Sequence, residues 1–308
     1  MASLAADRAD RDSESSEEGG LFGGLFVDED YKEETFSFDD TIPGGVSVLC
    51  SKAASTDFDL TGQVVWPVSI FLSWFIVQRP ELFRGRAVLE VGAGCGLPGL
   101  VAARVGAASV VLTDGSDVVM RLLQRQVAHH GNTGKVTAHK LEWGNEAALN
   151  DCVGACSGEG VGARPSVVIG ADVVCWPACV VPLLESCKAL LQGTDDPFAG
   201  RCYVGYVCRA TNTRDEFFRE AAAHGFACEK INARDFLPPP AEGWDAGADE
   251  AESETGAHAS AQRGWPANVR SRYDLEVYSF WLDRSSPAAL QPARFVGLVE
   301  GAHKHLPY

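Results

Sequence analysis

The sequence predicts an α/β fold, a mainly parallel sheet with helices on both faces and an antiparallel ending. Three observations carry that prediction. Short β-branched runs (AVLEV, SVVLT, KVTAHKL, SVVIG and CYVGYV) alternate with helical periodicities between residues 87 and 223, as expected of βαβ units whose strands are buried. A glycine-rich turn, EVGAGCGLPG at 90–99, joins the first of these strands to a helical pattern. The last two strand-like runs, Phe226 to Ile231 and Leu275 to Trp281, have no helix between them, which suits an antiparallel pair.

Each element has its own local signal. VVWPVSIFLSWFIV, Val64 to Val77, reads as a buried amphipathic helix, because its 14 residues fall short of the ~20 that span a bilayer. Leu97 to Val105 places Leu97, Leu100, Val101, Arg104 and Val105 at helical spacing, with Pro98 in the first turn, where proline is tolerated. Asp117 to His129 repeats the pattern with Val118, Val119, Leu122, Leu123 and Val127. Cys179 to Leu191 and Asp215 to Ala223 complete the helices. Residues 1–34 are acidic and rich in Ser and Gly, and read as a disordered arm. A domain at 35–308 follows, interrupted at about 238–262 by a second acidic, disordered insertion that opens with three prolines.

Composition limits the function. The 308 residues carry a formal net charge of -16, which opposes nucleic acid, since phosphate binding draws on Lys and Arg. A basic, Lys-presenting protein is the partner such charge attracts. No membrane span, no secretory leader and a monomer are expected. The ten cysteines contain no CxxC pair, so no metal site is expected, and reduced thiols point to the cytoplasm or also the nucleus. The seven histidines show no HExxH or triad spacing, and no Walker lysine follows the glycines. Metal hydrolysis, nucleophilic acyl transfer and phosphate transfer therefore lack support.

The glycine turn lies where ligands bind in open parallel sheets, at a strand's carboxyl end against a helix N-terminus. Gly92, Gly94 and Gly96 let backbone approach a ligand, and Gly99 allows helix and strand to pack closely. Asp114, closing the next strand, is placed to take both hydroxyls of an adenosine ribose. Gly94, Gly96 and Gly99 also satisfy GxGxxG, with Asp114 twenty residues after Gly94, so an NAD-dependent oxidoreductase stays open on spacing. Glu90 separates the two, since its carboxylate at the strand end would cost a pyrophosphate ~1 to 4 kcal/mol at effective dielectrics of ~80 to 20. S-adenosylmethionine offers an ammonium and a sulfonium instead, which suit an acidic mouth.

The order TGQVVWP, VLEVGAGCGLPGL, VVLTD, LEWGN and VVIGADVV resembles the seven-strand protein lysine methyltransferases, which act on chaperones, elongation factors and calmodulin. A similar enzyme acting on histone arginine shares much of the pattern. The resemblance covers roughly residues 36–237 plus the terminal strands. It implies a Rossmann-like seven-strand sheet and S-adenosylmethionine as cofactor. It further implies that the Gly92, Ala93 and Gly94 backbone contacts the methionine part and that Asp114 holds the ribose. Trp143 would lie beside the adenine, Ala171 would add a backbone contact near it, and Trp66 would close over the cofactor. Asp172 would be the catalytic residue, orienting an acceptor amine, most simply a protein lysine. The family's pattern places an aromatic three positions after this acid, whereas this chain has Cys175, with Trp176 next. That departure keeps open a catalytically silent protein that binds a partner through its acidic segments. Arg209, after the fifth strand, is expected to pack or pair around the acceptor cleft.

Overall fold

The computed structural model describes residues 31–38, 40–52, 62–130, 135–156, 164–193, 200–237 and 275–295. It opens with an antiparallel hairpin, β1 (Tyr31–Phe38) and β2 (Ile42–Ser51), that has no counterpart among the sequence expectations. Tyr31 to Glu34, read from sequence as the end of a disordered arm, form the first half of β1. The rest of that arm and the acidic insertion at 238–262 lie outside the described residues.

α1 (Pro67–Gln78) follows, with proline in its first turn, and nine of its 12 residues are buried. The expectation of an amphipathic helix is thereby corrected. The hairpin covers the face that would otherwise meet water, with the Phe38 and Trp74 rings 5.3 Å apart, edge to face. Polar bonds fix that cover. The Gln126 side chain accepts from Leu49 N–H at 3.0 Å and donates to Leu49 C=O at 3.1 Å and Cys95 C=O at 2.8 Å. One buried amide thus ties the hairpin to the glycine turn.

The sheet strands are β3 (Ala87–Glu90), β4 (Ser109–Asp114), β5 (Val136–Lys140), β6 (Val167–Ala171), β7 (Arg201–Val207), β8 (Phe226–Ile231) and β9 (Leu275–Leu282). They lie in the order β5-β4-β3-β6-β7-β9-β8. Pairing is parallel from β5 to β7, while β9 runs antiparallel to both β7 and β8. The Rossmann-like seven-strand sheet with an antiparallel terminal strand is therefore present. Alternate residues feed two cores, as strand geometry requires. Val88, Val110, Leu112, Val167 and Ile169 face α1, the hairpin, α2 (Leu97–Arg104) and α3 (Asp117–His129). Leu89, Val111, Val168, Cys202 and Val204 face α4 (Glu146–Ala155), α5 (Pro177–Leu191) and α6 (Thr211–Ala223). Each fully buried Val, Leu or Ile here stabilises the fold by roughly 1.5 to 3 kcal/mol relative to exposure.

A short α7 (Pro287–Leu290) follows β9 and is held against α5, where Lys188 Nζ donates to Ala288 C=O at 2.8 Å. The order of strands reverses between β3 and β6, so their carboxyl ends form the crevice where ligands of such sheets bind.

Candidate active site

Within that crevice the turn after β3 is held from its own backbone. Ala93 N–H donates to Thr113 C=O at 2.8 Å and Gly96 N–H to Ala93 C=O at 2.7 Å, which sets Gly96 as the left-handed N-cap of α2. Gly92 and Gly94 have φ of 59° and 54°, a region that side-chain-bearing residues rarely adopt. Space forbids a side chain as well. A Cβ on Gly92 would lie 2.9 Å from Val173 and 3.1 Å from the Trp143 ring, and one on Gly94 would lie 3.0 Å from Gly62 C=O. The turn is therefore sandwiched between Trp143 and the TGQVVWP stretch.

Glu90 does not stand at the mouth of the crevice. It is 1% exposed, and its Oε2 accepts from Gly99 N–H at 2.8 Å, inside the first turn of α2. The carboxylate bonds one of the N–H groups that a helix start leaves free, as an N-cap side chain does. Burial outweighs that bond and, with the nearby Asp114 charge, pushes its carboxyl up to about 8, so at neutral pH it is mostly protonated. The expected repulsion of a pyrophosphate by Glu90 thereby loses both its position and its charge. A Cβ on Gly99 would lie 2.6 Å from Glu90 Oε2, which explains the glycine there.

Asp114 ends β4 as expected and bonds the turn itself. Its Oδ2 accepts from Gly94 N–H at 3.2 Å and its Oδ1 from Ser116 N–H at 3.0 Å. Burial raises its pKa, against the bonds from the Ser116, Gly94 and Gly115 N–H groups that lower it. A carboxylate has about four acceptor positions, and with the Gly115 N–H also bonded to it about one remains for a donor from outside.

Trp143 is half-buried, its loop fixed by Gly144 N–H donating to Ser186 Oγ at 2.8 Å and by Asn145 capping α4. A cavity of about 640 Å³ opens beside it, lined also by Glu142, Asn145, Glu146 and Asn150. Trp143 is the one expected site residue among its walls, and no residue of the glycine turn lines it. Ala171 ends β6 in register with Gly205, and Asp172 follows with a φ of 57°. Arg209 forks onto the Asp172 carboxylate, with Nε 3.2 Å from Oδ1 and Nη2 on Oδ2, while its guanidinium carbon lies 5.2 Å from the Trp66 ring centroid. Cys175 Sγ donates to Asp172 C=O at 3.0 Å, and burial pushes that thiol up to about 12.

A family model described as lysine methyltransferase matches residues 53–224. The chain belongs to the lysine methyltransferase family. Within this family's relatives, the human protein-lysine N-methyltransferase EEF2KMT is 26% identical over 201 residues, covering 61% of this chain and 58% of that protein. The zebrafish (Danio rerio) protein N-lysine methyltransferase METTL21A is 29% identical over 172 residues, covering 55% and 70%. The mouse histone-arginine methyltransferase METTL23 is 30% identical over 190 residues, covering 60% and 67%.

In this lysine methyltransferase family member the expected residues fall into two groups. Gly92, Ala93, Gly94, Gly96, Asp114 and Trp143 surround the glycine turn, whereas Trp66 and Asp172 meet through Arg209. Glu90 lies beneath the turn. Sequence reasoning missed Gln126, although a signal was present. It stands seven residues after Val119 on the apolar stripe of α3 and is fully buried, and a buried amide on such a stripe needs partners.

Proposed function

We propose that this chain is an S-adenosylmethionine-dependent protein methyltransferase that methylates a side-chain nitrogen, with lysine as the first acceptor. The observation that carries the reading is the turn itself, where Gly94 N–H and Asp114 meet at the switch point of the sheet beside Trp143. These residues fit the cofactor. Asp114 keeps an acceptor position for a ribose hydroxyl, Trp143 offers an aromatic wall for adenine, and Gly92 and Gly94 let the turn lie against Trp143 and Gly62 without a side chain between. Ala171 closes β6 at the same crevice. When bound, S-adenosylmethionine supplies a methyl group activated on a sulfonium.

The chain's task is then to hold a nitrogen about 3 Å from that methyl, opposite the sulfur. A free lysine, with a pKa of ~10.4, is mostly protonated at neutral pH and cannot attack. In this reading Asp172, whose side chain is 7% exposed, orients the amine while its proton passes to solvent. The relatives' names, two for protein lysine and one for histone arginine, support a protein side chain as acceptor. An NAD-dependent reading is disfavoured by topology, because the sheet ends in an antiparallel pair rather than a second nucleotide-binding half. Ten free thiols, seven of them buried, support a reducing location, cytoplasmic or nuclear.

Asp172→Asn tests the assignment, since Asn tolerates the left-handed backbone that Asp172 adopts. The variant should bind S-adenosylmethionine like the wild type in calorimetry yet transfer no labelled methyl group to protein in cell extract. Undiminished transfer would remove Asp172 from the mechanism.

A further inference from the structure

Asp172 and Trp66 belong to different elements, one closing β6 and the other starting α1. A nearly buried carboxylate and an aromatic ring that both contact one guanidinium make a receptor for an organic cation, because the carboxylate supplies the charge and the ring face its quadrupole. That receptor already holds a cation. The Arg209 guanidinium forks onto Asp172 and lies 5.2 Å from the Trp66 ring centroid.

The two partners differ in their freedom to leave. Asp172 is 7% exposed, the Arg209 side chain 42%. Asp172 is also tied through its backbone, its N–H donating to Gly205 C=O at 2.9 Å and its C=O accepting from Cys175 Sγ at 3.0 Å. Arg209 sits in the link between β7 and α6, flanked by exposed Cys208 and Ala210. Its side chain can swing to solvent without breaking a strand or helix. Cys175 suits this arrangement, because its thiol braces the Asp172 backbone.

We propose that Asp172 and Trp66 form the subsite for the acceptor's alkylammonium group, and that Arg209 occupies this subsite in cis and must be displaced before the acceptor can enter. The proposal rests on the methyltransferase reading and adds the acceptor's recognition chemistry to it. A competitor that fills a site about 90% of the time lowers apparent affinity about tenfold. Arg209 therefore acts as a specificity-determining residue, admitting only cations that also gain contacts elsewhere on the protein.

The test uses the full chain saturated with S-adenosylhomocysteine and n-butylammonium as the probe, titrated by calorimetry, with n-butanol as the uncharged control. Arg209→Gln should bind n-butylammonium about tenfold more tightly than the wild type, Arg209→Lys should fall between them, and Asp172→Asn should bind none. n-Butanol should not distinguish the four proteins. Equal or weaker n-butylammonium binding by Arg209→Gln would overturn the proposal, as would a matching gain for n-butanol, which would mark only a vacated apolar cleft. Should Arg209→Gln fail to fold, Arg209→Lys decides the matter, tighter binding supporting the proposal and equal or weaker binding overturning it. Failure of the wild type to bind S-adenosylhomocysteine would instead overturn the methyltransferase reading. The n-butylammonium comparison, run without it, would still report on the cation subsite.

Discussion

Replacing Glu90 by Gln should make the protein more stable at neutral pH, by an amount that depends on pH in a defined way. In the folded chain the Glu90 carboxyl titrates at about 8, whereas its ordinary value is 4.5. Between these values the unfolded chain has lost the proton and the folded chain keeps it, so folding takes up a proton and stability falls as pH rises. Each pH unit in the window costs about 1.4 kcal/mol, which gives about 3 kcal/mol at pH 7 and about 5 kcal/mol above pH 8. Gln is neutral throughout and keeps a carbonyl for the Gly99 N–H, so it escapes this cost. Urea unfolding of both proteins at pH 5, 6, 7, 8, 9 and 10 should show a gap that widens with pH and levels off above 8. A gap of constant size, or one that narrows, would mean that Glu90 is ionised in the fold and would refute the burial account.

Other consequences follow from single contacts. Gly92→Ala puts a Cβ 2.9 Å from Val173 on a backbone with φ of 59°. It should lower stability by about 1 to 3 kcal/mol and weaken S-adenosylmethionine binding, read by thermal unfolding and calorimetry. Gln126→Leu leaves Leu49 N–H and C=O and Cys95 C=O without their side-chain partner. A cost of about 2 to 4 kcal/mol is expected, with faster hydrogen exchange at the Leu49 amide than in the wild type.

The central strands were legible because they are buried on both faces and so spell unbroken apolar runs, as in SVVLT and SVVIG. The glycine turn and Asp114 were legible because their spacing is local to one strand-turn-helix unit. The hairpin was not, since β1 buries only Phe36 and Phe38 and its remaining residues read as polar loop. α4 escaped for a similar reason, with only Leu149 and Cys152 buried. Glu90 shows a subtler limit. Its place at the strand end was read correctly, but its direction follows from strand parity. It shares a face with Val88, on the side where α2 packs, and that alternation was available in the sequence. The pairing of Asp172 with Arg209 spans 37 positions. It comes from β6 and β7 lying side by side, which no local pattern announces.

The most direct test of the central claim, that the glycine turn and Asp114 hold S-adenosylmethionine, is calorimetric titration of the wild type and Asp114→Asn with S-adenosylmethionine and NAD. The wild type should bind S-adenosylmethionine and not NAD, and Asp114→Asn should bind S-adenosylmethionine at least about tenfold more weakly, a loss of about 1.4 kcal/mol. Binding of NAD without S-adenosylmethionine, or S-adenosylmethionine binding untouched by the Asp114 change, would contradict it.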